Sequence, residues 1–209
     1  LNLVWANAGG DIAWWAAARL PIRPAGVNPA FILDGSAEAA DKLGFYPFSA
    51  NPQEENPTRG YIVSANFQPL PASGIEIPGY YNPPERGQRL NTRLADPSVR
   101  WDLDNSQALQ LETATAYGPQ LLAPILDDLR AAAADEQERE LVETLAAWQG
   151  DHPLQSLPAT LFNQLTYELG RATLAPRLGA QAFEQLLSTR MIDSALPRLT
   201  ADPHSPWWS

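Results

Sequence analysis

Two short, largely apolar stretches, whose side chains would alternate between two faces, lie on either side of Gly9-Gly10 in the first sixteen positions. This predicts two short antiparallel strands joined by a tight glycine turn. Leu1, Leu3 and Trp5 would share one face, while Trp14 and Trp15 on the return strand must point to opposite faces, because successive strand side chains alternate. Both faces of the hairpin then want apolar cover, and a chain that begins at its first strand residue suggests a sheet continued by further polypeptide. The stretch from Pro21 to Pro57 reads as loop, and the next strand is expected over Gly60 to Phe67, GYIVSANF. Asn82-Pro83-Pro84-Glu85 has the form of a helix start, with an Asn cap, Pro at the first helical position and Glu three residues after the cap. That helix carries Arg86, Arg89, Leu90 and Arg93 and should end before Pro97.

From Asp104 onward the apolar spacing becomes helical. Leu121, Leu122, Ile125 and Leu129 form one stripe with a kink expected at Pro124, and Leu141, Leu145 and Trp148 form a second after the acidic stretch from Asp135. Leu161, Leu165 and Leu169 follow Pro158, and Phe183, Leu186, Leu187 and Met191 follow Gly179. Such stripes are core faces. The tail ends in Trp207-Trp208, an adjacent pair expected to dock because it is expensive to leave in water. Of 13 glycines and 20 prolines, 9 and 12 lie in residues 1–97, so the breakers sit where helices are not expected. The chain therefore divides into a strand- and loop-rich part, 1–97, and a helical part, 98–209, an α+β arrangement.

Composition narrows the function classes. With 14 basic and 24 acidic residues the net charge is −10, and no basic cluster interrupts it, which argues against nucleic acid and anionic membrane surfaces as partners. No cysteine is present, so disulfides, cysteine zinc sites and thiol nucleophiles are excluded. No apolar run approaches the roughly 18 residues of a membrane helix, and no secretory signal pattern is visible. Position 1 is Leu, and the chain is expected to be a processed or excised piece.

Few chemical constellations stand out. His152 and His204 lie in proline-flanked stretches, and nothing resembles a nucleophile elbow. Asp102-Leu103-Asp104-Asn105-Ser106 opens like a calcium loop, but Gln107 and Thr113 occupy the places of the required Gly and bidentate Glu. A helix cap at Asp104 or Ser106 is the expectation instead. There is no P-loop and no GxGxxG, and Asn56-Pro57-Thr58 is not a glycosylation sequon.

Three stretches in order, VWANAGGDIAWWAAARLPIRP, NPTRGYIVSANFQP and YYNPPERGQRL, resemble the β-subunit of the penicillin amidases. These are N-terminal nucleophile hydrolases, a group that includes cephalosporin acylases and acyl-homoserine lactone acylases. The first stretch matches the family's strand, glycine turn and strand ending in Arg19-Leu20-Pro21-Ile22-Arg23. The second matches its Gly-aromatic-Ile-Val run ending in Asn66, and the third its Gly87-Gln88-Arg89-Leu90 segment. The later DNSQALQLETATAYGPQLLAPIL and LFNQLTYEL are also similar, so the resemblance touches nearly the whole chain and is strongest over residues 4–94.

By that resemblance the fold is a piece of the αββα core followed by helices. The activity would be hydrolysis of linear amides, such as acyl side chains of β-lactam antibiotics, with acyl-homoserine lactones as the rival substrates. In the family an N-terminal Ser attacks, its own α-amino group acts as base, and an Asn amide stabilises the oxyanion. The oxyanion Asn falls on Asn66 and the active-site Arg on Arg89. Read from the residues alone, Asn66 would merely turn the chain toward Pro69 and Arg89 would pair with Glu85 at i, i+4. Phe67 stands where relatives often carry a second Asn, and Glu76 and Glu85 are the only carboxylates between Asn66 and Arg89. Neither matches the family's calcium position, so no calcium site and no cofactor is expected on this chain. Leu1 offers no nucleophile, so the 209 residues alone are expected to be inactive. The implied partners are the remaining portion of the amidase or a second copy, and the implied location is periplasmic or secreted. The reading from another class is a noncatalytic interaction module.

Overall fold

The computed structural model describes residues 2–29, 31–68, 74–77, 79 and 81–208. It separates into two compact units, Leu1–Pro97 and Ser98–Ser209.

In the first unit the expected hairpin is present. Strands β1 (Asn2–Ala6) and β2 (Ile12–Ala16) pair antiparallel from Asn2↔Ala16 to Ala6↔Ile12. Gly10 takes φ 93° in the turn, and Asn7 closes it by accepting the Asp11 N–H and donating to the Asp11 carboxylate, both at 2.9 Å. A residue with a Cβ would resist that φ. β2 is the covered strand: Ala13, Trp14 and Ala16 are buried, and the Trp14 indole donates to Asn2 Oδ1 at 3.0 Å. β1 is exposed throughout, and Leu1 lies outside the described residues.

The stretch from Pro21 to Pro57 is more ordered than a loop. β3 (Pro21–Ile22) pairs with β4 (Gly44–Phe45), and β5 (Gln53–Glu55) adds to β2 in the order β1-β2-β5. Short 3₁₀ turns occupy Glu38–Ala40 and Phe48–Ala50. β5 is a strand without an apolar pattern, held by its ladder on Ala13, Trp14 and Trp15. Asn51 anchors its approach: its buried amide nitrogen donates to the Ala16 and Ala18 carbonyls at 2.6 and 2.7 Å, and Ala16 N–H donates to the Pro52 carbonyl at 2.9 Å.

The strand expected over Gly60 to Phe67 does not form. Those residues are irregular, bending at 65–67, with Gly60 and Asn66 at positive φ of 78° and 63°. A pleated ladder tolerates neither conformation, and β2 already has both neighbours. The helix after it, α1 (Glu85–Leu94), starts two residues later than predicted: its N-cap is Pro84, with no side-chain cap, and it ends before Pro97 as expected. Asn82 instead gives its backbone N–H to the Asn66 carbonyl at 3.1 Å.

The second unit is helical: α2 (Leu103–Gln110), α3 (Tyr117–Leu122), α4 (Leu126–Ala132), α5 (Glu136–Ala147), α6 (Leu157–Leu178), α7 (Ala180–Leu187) and α8 (Met191–Ala201). Asp102, rather than Asp104 or Ser106, caps α2. Its carboxylate accepts the Asn105 N–H while Asn105 Oδ1 accepts the Asp102 N–H, each at 2.9 Å. The kink expected at Pro124 is a 3₁₀ turn, Ala123–Ile125, separating α3 from α4. The core gathers Leu121, Leu122, Ile125, Leu145, Trp148, Ala159, Phe162, Leu196 and Leu199. On α6 the deepest side chain is Phe162, and Leu161, Leu165 and Leu169 flank the core half-buried. Met191 is exposed and opens α8, because α7 ends at Leu187 and its stripe ends with it. Of the tail pair, Trp207 packs on this core beneath Arg177, whereas Trp208 is more exposed and donates its indole N–H to the Asp202 carbonyl at 2.8 Å. No helix among the described residues is long and apolar enough to cross a membrane.

Candidate active site

The bend at 65–67 is fixed against α1 at two consecutive helix residues. Arg86 Nη2 donates to Asn66 Oδ1 at 2.8 Å and to the Ala65 carbonyl at 3.2 Å. Gly87, the only buried residue of α1, lies directly under the Phe67 ring: a Cβ at position 87 would stand 2.5 Å from two ring carbons. Glycine inside a helix costs about 1 kcal/mol relative to Ala, and here the close approach of an aromatic ring requires it.

These contacts decide how the Asn66 amide is turned. A guanidinium carries donors only, so the face of the amide toward Arg86 must be its oxygen. The NH₂ group then points away, and among the described residues nothing accepts from it. Asn66 holds this pose from φ 63°, a left-handed conformation that Asn tolerates better than most residues. The result is an exposed, oriented pair of amide N–H donors with a cation behind the carbonyl oxygen, which draws electron density toward that oxygen and strengthens the donors.

The surroundings are polar but already paired. Gln68 donates to Glu76 Oε1 at 2.9 Å, and the Tyr81 hydroxyl donates to the Ile77 carbonyl at 2.9 Å. Burial, reinforced by the Glu76 charge, pushes the Tyr81 phenol above its ordinary range and keeps it neutral. Arg59 is held by both oxygens of Glu54 and lies 5.4 Å over the Tyr61 ring, while Tyr61 reaches the Asn91 carbonyl at 3.4 Å. Arg89 sits half-buried on α1, three residues beyond the arginine that meets Asn66. No cluster of three or more His, Asp or Glu able to hold a metal occurs among the described residues. In the helical unit, His152 rests edge-on against Trp148 with Nδ1 3.0 Å from the Gly150 carbonyl, and His204 is exposed.

A family model described as penicillin amidase matches residues 1–209. The chain belongs to the penicillin amidase family. That family falls within the N-terminal nucleophile hydrolase superfamily. Two relatives are acyl-homoserine lactone acylases QuiP from Pseudomonas syringae, 26% identical in pathovar tomato and 25% in pathovar syringae. Each alignment takes in 100% of this chain and 27% of the relative, so the chain spans about a quarter of the proteins it matches. A thermostable penicillin G acylase from Alcaligenes faecalis superposes with TM-score 0.69 at 22% identity, over 88% of this chain and 34% of that one. This likeness shows a shared fold.

Within this penicillin amidase fold, Asn66 meets α1 at Arg86. The family likeness assigns Arg89, whereas the arginine in contact with Asn66 stands three residues earlier, at position 86. The signal that could have found it is Gly87: a helical glycine with no cap to make marks the point where another segment approaches most closely.

Proposed function

We propose that this chain supplies the oxyanion-stabilising part of an amidohydrolase that cleaves the linear amide bond of an N-acyl amine. The observation that carries the reading is the Asn66 amide, tied at its oxygen by Arg86 and presenting its N–H groups outward. When a serine oxygen adds to an amide carbonyl, that carbonyl oxygen takes on negative charge, and a prepositioned neutral donor stabilises it without reorganising. In this reading the attacking Ser and its α-amino base come from the remaining portion of the amidase, the main partner of this chain. The base takes the hydroxyl proton, the tetrahedral adduct collapses and releases the protonated amine, and water then frees the acid from the acyl-serine. Arg86 positions the donor, and Arg89 is carried with it as the further arginine that the family likeness assigns. The chain's own residues need no cofactor for these steps, and the proposed location is periplasmic or secreted.

Acyl side chains of β-lactam antibiotics are one substrate class, and the two acylase relatives support acyl-homoserine lactones as the second. Both present the same reacting group, a secondary amide. The test is amine release from a penicillin and from an acyl-homoserine lactone by the whole protein. Hydrolysis of either, abolished by Asn66→Asp, supports the reading. Full activity of that variant overturns it, because a carboxylate keeps the contact with Arg86 but has no N–H to give.

A further inference from the structure

We infer that Phe67 and Gly87 form a spacer that sets the working position of the Asn66 amide, with Phe67 a positioning residue for the reaction; this rests on the reading of Asn66 as oxyanion donor. The bend and α1 touch at two adjacent points, one polar and one apolar. The polar point is directional, but its two hydrogen bonds hang on the long, flexible Arg86 side chain, which can follow the helix as it slides or tilts. The apolar point supplies the stop: the ring of Phe67 rests on the bare backbone of Gly87, and Phe67 is the residue directly after Asn66 in the chain. Ring thickness thereby fixes how near Arg86 comes to Asn66, and the 2.8 Å contact is the outcome. The Asn66 carbonyl also accepts from Asn82 N–H at 3.1 Å, a further tie between the bend and the segment that leads into α1.

The spacing is sensitive to one carbon. A Cβ on residue 87 would sit 2.5 Å from the ring, and carbon contacts settle at about 3.5 Å or more. The ring must therefore retreat by about 1 Å, enough to lengthen the Arg86–Asn66 bond past hydrogen-bond range. Misplacing a catalytic group by about that distance costs up to about 100-fold in rate.

The test is reciprocal substitution in the whole, matured protein. Gly87→Ala is expected to lower kcat by about tenfold or more with KM within about twofold. Phe67→Leu, which removes the stop without a clash, is expected to lower kcat as well. Combining Phe67→Leu with Gly87→Ala restores the fit, so the double variant should exceed the worse single by several-fold, a coupling that independent structural damage does not produce. If Gly87→Ala fails to mature, Phe67→Leu against the double variant carries the same comparison. Wild-type kcat in either matured single variant, or a double variant no better than the worse single, overturns the spacer. Failure of the underlying reading looks different: Asn66→Ala would then keep its kcat.

Discussion

Arg86 and Asn66 meet at 2.8 Å, guanidinium nitrogen to amide oxygen, and the same nitrogen also holds the Ala65 carbonyl. One side chain therefore fixes both the backbone of the bend and the direction of its amide.

Asn66→Ala in the whole protein is expected to lower kcat by about 100-fold or more, with little change in KM. The donor is needed most when the carbonyl oxygen is anionic, so binding should be spared. Steady-state kinetics alongside a separate assay of precursor cleavage distinguishes lost turnover from lost maturation. A mature Asn66→Ala enzyme with near wild-type kcat returns Asn66 to the role of a turn residue.

The two arginines should separate. Arg86→Ala removes the contact on the amide oxygen and frees the amide to rotate, so its kcat should fall by about tenfold or more. Arg89→Ala is expected to fall less. The opposite ranking, measured on matured enzyme, would move the positioning role from Arg86 to Arg89.

Two glycines of the helical unit predict different costs for the same substitution. Gly179, at φ 79° and ψ 155°, has open space where a Cβ would go, so Gly179→Ala carries backbone strain alone, about 1 to 3 kcal/mol. Gly150, at φ 87°, would place its Cβ 1.9 Å from the Thr115 carbonyl oxygen, which forbids the existing geometry. Gly150→Ala should cost about 3 kcal/mol or more, strain and overpacking together. Denaturant titration followed by tryptophan fluorescence ranks them, and equal costs would contradict the close contact.

Acid should act in opposite directions on two carboxylates. Glu143 is held below its ordinary range by its bonds to Arg130, so its contribution is present at neutral pH and fades as the pH falls through that lowered value. Asp193 is pushed up by burial, only partly offset by Arg190. Its charged form burdens the fold, and that burden is relieved as the pH falls through the raised value. Asp193→Asn should therefore raise Tm at neutral pH, with the gain vanishing in acid. Glu143→Gln should lower Tm at neutral pH, and that loss should also vanish in acid. A Tm difference for either variant that is constant with pH would remove its ionisation from the explanation.

Without the rest of the protein, the exposed β1 edge with Leu3, Val4 and Trp5 should drive self-association of the 209-residue chain. Val4→Lys should weaken it, as read by sedimentation. A monomer at every concentration would show that this edge does not pair.

The hairpin and the helical stripes were legible because local patterning and core burial agree there: Gly9-Gly10 marks the turn, and Leu121, Leu122, Leu145 and Trp148 mark the core. β5 was not, since Gln53, Glu54 and Glu55 carry no apolar alternation and become a strand only by pairing with β2. Gly60 to Phe67 failed in the reverse sense, with strand-like side chains on a backbone that Asn66 turns left-handed. For the site, Asn66 came from family likeness, whereas Arg86 became visible only once a bend twenty residues away lay against α1.

Asn51 and Pro52 bring the chain back to Ala16 after residues 17–50 have left it, so that excursion is tied at its neck and its far reaches bear little on the sheet. Changing the length of such a closed loop costs only about 0.6 kcal/mol per doubling. The segment bearing the exposed Phe31, Ile32, Leu43 and Phe48 should therefore accept changes of length at little cost to the pairing of β1 with β2.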